Sequence, residues 1–168
     1  MKHLILGGAR SGKSRHAEQL AEQSGSTVVY VATAEALDAE MEARIAHHRQ
    51  RRPVGWALVE EPLALATVLR AQAAPERCLL VDCLTLWLGN LLAADAPRMA
   101  QEIDALYATL PTLPGEILLV SNEVGWGIVP DNALARRFRD EAGRLHQQLA
   151  TLCDHVTLVA AGLPLALK

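Results

Sequence analysis

A three-layer α/β fold, with a mostly parallel sheet of six or seven strands, is predicted for this chain of 168 residues. Three observations predict it. Short β-rich runs alternate with segments of helical spacing along the sequence, the order expected of repeated strand–helix–strand units. Several of the runs are apolar at successive positions, as strands covered by helices on both faces must be. The composition is 51% hydrophobic but only 4% aromatic, with much Ala and Leu, which favours helices packed on a buried sheet over a β-sandwich.

The first strand is HLIL (3–6), followed by GGARSGKS (7–14) and then by a helix whose Ala17, Leu20 and Ala21 share one face. Further strands are read at 27–32, 56–60, 77–82, 116–121 and 155–161. A longer helix carries the stripe Leu134, Phe138, Ala142, Leu145, Leu149 and Leu152. The tail LPLALK suits a small edge strand. Connections are expected around 74–78, 93–98 and 111–116, where Pro, Gly and Asp cluster. With no internal repeat, low-complexity tract or long linker, one domain over 1–168 is expected.

The formal net charge of −3 gives no overall electrostatic footprint for nucleic acid, so no nucleic-acid partner is expected. The three cysteines form no Cys-x-x-Cys pair, which suits a reducing compartment. The N-terminus has no signal-peptide h-region, and no stretch approaches about 18 uninterrupted apolar residues; a cytoplasmic protein without a membrane span is expected.

The run Gly7, Gly8, Ala9, Arg10, Ser11, Gly12, Lys13, Ser14 has the spacing of a phosphate loop, between a strand and a helix as that motif requires. Glycine allows the chain to wrap a polyphosphate with its N–H groups inward. Lys13 would then bridge the β- and γ-phosphates, the Ser14 hydroxyl would sit on Mg²⁺, and the helix start would add its positive dipole end. An ordinary glycine-rich turn is the alternative.

Ligands of open α/β sheets lie beyond the carboxyl ends of the strands. There Asp82 closes a strand and is read as a Mg²⁺ residue coupled to the phosphate loop, a turn-forming Asp being the alternative. Ser121, Asn122 and Glu123 close another. Asn122 is placed to sense a γ-phosphate and Glu123 to act as a general base or second Mg²⁺ contact, unless the segment is only a self-stabilised polar loop. Trp126, between Gly125 and Gly127, would cover a planar ligand or sit in a subunit interface. If residues 38–52 form one helix, Leu37, Met41, Ile45 and His48 fall on an apolar stripe, while Glu40, Arg44, His47 and Arg51 fall on a polar one. Arginines near His47 would keep its imidazole neutral, as a nucleophile must be, although a solvated basic face is the commoner fate of such a helix.

GGARSGKSRHAE, YVAT, ARIAHHRQRRP, LLVDCLTLWLGNLL and SNEVGWGIVPDNALARRFRDEAGRLHQ, in that order, resemble the motifs of one family. It is the bifunctional adenosylcobinamide kinase and adenosylcobinamide-phosphate guanylyltransferase family of cobalamin synthesis. The resemblance runs nearly end to end, except around 93–115. It implies phosphorylation of the aminopropanol hydroxyl of adenosylcobinamide by ATP or GTP, then transfer of GMP from GTP through a guanylyl-histidine to adenosylcobinamide phosphate. It implies that His47 carries the GMP, and that nucleotide contacts lie at 7–14, at Ala32, Thr33 and Ala34, at His48, Arg49, Gln50 and Arg51, at Glu60 and at Asp82. Glu61 rivals Glu60. Gly89 stands where many members would carry Ser. The resemblance further implies a RecA-like phosphate-loop NTPase domain assembled as a homotrimer with sites near subunit contacts. A phosphate-loop kinase of another small alcohol, and a RecA-like ATPase module, are the rival readings.

Overall fold

The computed structural model describes residues 1–34 and 55–168. The expected helix over 38–52, with His47, His48, Arg49, Gln50 and Arg51, lies outside the described residues.

Seven strands form one sheet: β1 (Lys2–Gly7), β2 (Thr27–Ala32), β3 (Ala57–Glu60), β4 (Arg77–Asp82), β5 (Glu116–Asn122), β6 (His155–Ala160) and β7 (Leu163–Ala166). Their spatial order is β3-β2-β4-β5-β1-β6-β7, parallel throughout except for the antiparallel β6–β7 pair. The described helices are α1 (Lys13–Gln23), α2 (Leu65–Gln72), α3 (Leu84–Ala93), α4 (Ala96–Thr109) and α5 (Ala133–Leu152). A short 3₁₀ turn, Leu110–Thr112, ends α4.

Alternation along the strands explains why they read as apolar throughout. Leu4 and Leu6, Leu79 and Val81, and Ile117 and Leu119 point to one face, where they meet Leu65, Leu84, Trp87, Leu106, Leu145 and Leu149 of the helices. Ile5, Leu80, Leu118 and Val120 point to the other, where they meet Ala17 and Ala21 of α1. Small alanines on α1 let its backbone lie close to the sheet. Trp87 is fully buried, and its indole N–H donates to the Leu63 carbonyl at 2.8 Å, so the large ring fills the core with no polar atom left over. A stripe position is corrected here: Leu134 is 65% exposed, because it belongs to the first turn of α5, ahead of the part that packs on the sheet.

Local chemistry sets several boundaries. Asp95 accepts from the Arg98 N–H at 2.7 Å and Pro97 follows in the first turn, so α4 begins inside the stretch expected to be a connection. Asn132 caps α5 through the Ala135 N–H, and at the other end the Lys168 ammonium donates to the Cys153 carbonyl at 2.7 Å. The β6–β7 turn is Ala161-Gly162, both residues at positive φ (52° and 79°), the conformation that matches a two-residue hairpin to strand twist.

Candidate functional site

The order of the sheet places the site. β1 delivers the phosphate loop, β4 delivers Asp82, and β5 lies between them, so its end at Asn122 and Glu123 falls between the other two. All three ends open on the same side because the strands are parallel.

Gly7 must be glycine: a Cβ there would stand 2.5 Å from both Ser11 Oγ and the Val159 carbonyl. Around Gly8 the space is open, and Gly8, Ala9 and Arg10 are exposed. Gly12 has φ +96° and starts α1 with no side-chain cap, so the first N–H groups of the helix are left for a ligand in the loop. The Ser11 N–H donates to the Gly8 carbonyl at 3.2 Å and Lys13 Nζ to the same oxygen at 3.3 Å, folding the lysine back over the loop. Lys13 is buried to 8% exposure, and a bound phosphate would pair the charge of its ammonium. Ser11 Oγ is buried with no hydrogen-bond partner. Ser14, on the first turn of α1, is partly exposed beside them.

Asp82 is partly exposed, and its Oδ2 accepts from the Tyr30 hydroxyl at 3.2 Å, which orients the carboxylate at the strand end. Among the described residues no cluster of three or more His, Cys, Asp or Glu could hold a metal. A donor set of one hydroxyl, Ser14, and one carboxylate, Asp82, fits Mg²⁺ that takes its remaining ligands from nucleotide phosphates and water.

The segment after β2 behaves differently from a simple contact surface. Ala32 is buried, and Thr33 is fully buried, with its hydroxyl donating to the Cys83 carbonyl at 2.7 Å and accepting from the Cys83 N–H. Asn90 donates to the Thr33 carbonyl at 2.8 Å. Thr33 thus locks the end of β2 to the start of α3, and Ala34, partly exposed, is the member of the three with access to the surface. Glu61 is committed as well: its Oε1 accepts from the N–H groups of Leu63 and Ala64, both at 2.8 Å, and so starts α2. Glu60, its rival, is exposed at the end of the edge strand β3.

At the β5 end, Asn122 donates to Thr85 Oγ1 at 2.8 Å, which ties it to α3. The Glu123 N–H donates to the Gly7 carbonyl at 3.0 Å, and its Oε1 accepts from the Gly125 N–H at 2.7 Å. Beneath it lies a pair that sequence reading did not connect: Ser121 Oγ is 2.7 Å from His146 Nε2. Trp126 is 76% exposed and Ile128 97%, so the glycine-flanked loop after β5 presents apolar side chains at the surface. The cysteines are poor nucleophiles. Burial pushes the Cys78 thiol up to about 11 and Cys153 to about 12, and burial followed by the neighbouring Asp82 also raises Cys83.

The profile of the family described as cobinamide kinase / cobinamide phosphate guanyltransferase matches residues 3–167. The chain belongs to that family. Similar proteins include the bifunctional adenosylcobalamin biosynthesis protein CobP of Pseudomonas aeruginosa, 60% identical over 169 residues, covering 100% of this chain and 98% of that one. CobU of Escherichia coli, with the same description, is 45% identical, and both chains are covered in full. Among solved structures, a Pyrococcus horikoshii OT3 protein aligns with a TM-score of 0.57 at 7% identity, over 99% of this chain and 85% of its own. A prototypical ATPase of a type III secretion system aligns with a TM-score of 0.54 at 14% identity, over 94% of this chain and 51% of its own. These two likenesses show the fold, a phosphate-loop α/β architecture. Family membership makes the chain a transferase of cobalamin biosynthesis, with cobinamide kinase and guanyltransferase as its two activities.

Proposed function

We propose that one domain, residues 1–168, phosphorylates the aminopropanol hydroxyl of adenosylcobinamide with ATP or GTP, and then transfers GMP from GTP to the new phosphate. The observation that carries this reading is the phosphate loop itself. An uncapped helix start, a buried Lys13 folded onto the Gly8 carbonyl and open space at Gly8 form a polyphosphate cradle within the matched family sequence.

In the kinase step Lys13 neutralises the β- and γ-phosphates, while the N–H groups of 8–14 hold them in line. Mg²⁺, when bound, supplies charge neutralisation on the phosphates, and Ser14 and Asp82 are the residues that would hold it. In the guanylyl step His47 is the nucleophile: a neutral imidazole attacks the α-phosphorus of GTP, the bond to pyrophosphate breaks, and a P–N bond holds the GMP. Positive charge on Arg44, Arg49 and Arg51 assists the leaving pyrophosphate. Ala34, Glu60 and His48, Arg49, Gln50 and Arg51 complete the nucleotide contacts, and Trp126 covers the corrinoid. The assembly proposed is a cytoplasmic homotrimer. Exposed Ile128 and Val129, with Leu163 and Leu165 on β7 and Leu167 just after it, support subunit contacts, and sedimentation at a trimer mass checks them. No described helix is long and apolar enough to cross a membrane.

The test is product analysis of the purified chain with adenosylcobinamide, GTP and Mg²⁺. Adenosylcobinamide phosphate should appear first and adenosylcobinamide-GDP with pyrophosphate afterwards. A chain that makes the phosphate but never the GDP product would be the simpler kinase of the rival reading.

A further inference from the structure

His146 lies on the inner face of α5 at 6% exposure, and a buried imidazole needs partners. Its Nε2 is 2.7 Å from the hydroxyl of fully buried Ser121, and its Nδ1 is 3.8 Å from Oε2 of Glu123. The tautomer with its hydrogen on Nδ1 would turn a donor toward that carboxylate and leave Nε2 to accept from the Ser121 hydroxyl. Burial favours the neutral ring, opposed by the carboxylate. Glu123 is therefore held at two points, its N–H on the Gly7 carbonyl and Oε1 on the Gly125 N–H, while Oε2 is flanked by His146 at 3.8 Å, beyond hydrogen-bond distance. The strand that presents it lies between the phosphate-loop strand and the Asp82 strand.

The two reactions differ in their need for such a group. An imidazole attacks through a lone pair, and a phosphate monoester is already ionised at neutral pH. The alcohol of the kinase step holds its proton far above neutral pH and needs an acceptor. We propose that Glu123 is that acceptor, and that the buried Ser121–His146 pair aims its carboxylate; the proposal rests on the two-reaction reading above. In the step, the O–H proton passes to a Glu123 oxygen and the alcohol oxygen bonds to the γ-phosphorus. The bond from that phosphorus to the β-phosphate oxygen breaks with its electron pair on the departing nucleoside diphosphate. The proton then leaves Glu123 for water. Glu123 is the catalytic residue here, and His146 is a positioning residue.

Glu123→Gln keeps the shape and the Gly125 contact but cannot take the proton. Its kinase kcat should fall by about 10²- to 10⁴-fold, the usual range for a lost general base. The nucleotide KM, thermal midpoint, labelling by α-labelled GTP and conversion of supplied adenosylcobinamide phosphate should all stay within about threefold of wild type or unchanged. His146→Leu should lower kinase kcat by about tenfold without raising nucleotide KM, and His146→Asn, which can offer an N–H where Nδ1 stood, should recover most of it. Kinase turnover within about threefold of wild type in Glu123→Gln overturns the proposal, as does a parallel loss of kinase and guanylylation. A wild-type chain that makes no adenosylcobinamide phosphate overturns the two-reaction reading and this proposal with it.

Discussion

His3 sits on β1 with its Nε2 2.8 Å from Thr157 Oγ1 and its ring against His155 at 5.6 Å between centroids. Burial first, and then the charges of His155 and His16, bring its pKa from 6.5 down to about 4. Between these two values the unfolded chain binds a proton that the folded chain refuses, so stability falls as pH drops through this window. His16 and His146 are lowered too, both first by burial, and add to the same slope. His3→Gln, which retains an amide for Thr157, should lose stability less steeply on acidification than wild type. Denaturant melts at pH 7.5 and 4.5 should show roughly one fewer proton taken up on unfolding. Identical slopes would place the acid sensitivity elsewhere. Glu60 and Glu61 teach a related lesson: the sequence offers two carboxylates side by side, and only the fold commits Glu61 to the N–H groups of Leu63 and Ala64.

At the scale of elements, the phosphate loop depends on the hairpin that ends the chain. The Gly162 N–H donates to the Ser11 carbonyl at 2.8 Å, and a Cβ on Gly12 would come within 3.1 Å of Gly162 Cα at a φ of +96°. Gly12→Ala should therefore cost about 1–3 kcal/mol of stability and weaken nucleotide binding, because the strain falls in the loop. Gly115, at φ +72°, crowds the Ala74 and Arg77 carbonyls far from the loop. Gly115→Ala should destabilise as much or more, while nucleotide affinity of the folded fraction is preserved. Calorimetric melts and nucleotide titration of both variants separate the two; an unchanged affinity in Gly12→Ala would detach the loop from the site. The strands were legible because period-two burial on both faces leaves unbroken apolar runs: β2 and β4 match their expected limits, and the others agree to within about two residues. The helices between 65 and 109 were less so. Asp95 and Pro97 carry a helix-start signal, yet in a Pro-containing stretch the same residues also read as a turn. The Ser121–His146 contact is not visible in the sequence, because 25 residues separate the partners and only the packing of α5 on β5 joins them.

For the whole molecule, the parallel sheet gathers the phosphate loop, Asp82 and Glu123 at one edge, and the glycine-flanked loop with exposed Trp126 follows Glu123 in the chain. In the proposed mechanism, the residue that divides a kinase from a kinase that also transfers guanylyl groups is His47. Incubation with labelled GTP and Mg²⁺ reads the proposed role of His47 on the protein itself. GTP labelled at the α-phosphate should leave one GMP on the chain, GTP labelled only at the γ-phosphate should leave none, and the linkage should be lost in acid but survive alkali, as a phosphoramidate does. Peptide mapping should place the GMP on His47, His47→Ala should fold without taking label, and His48→Ala should keep it; label on His47→Ala, or on a peptide without His47, would contradict the account.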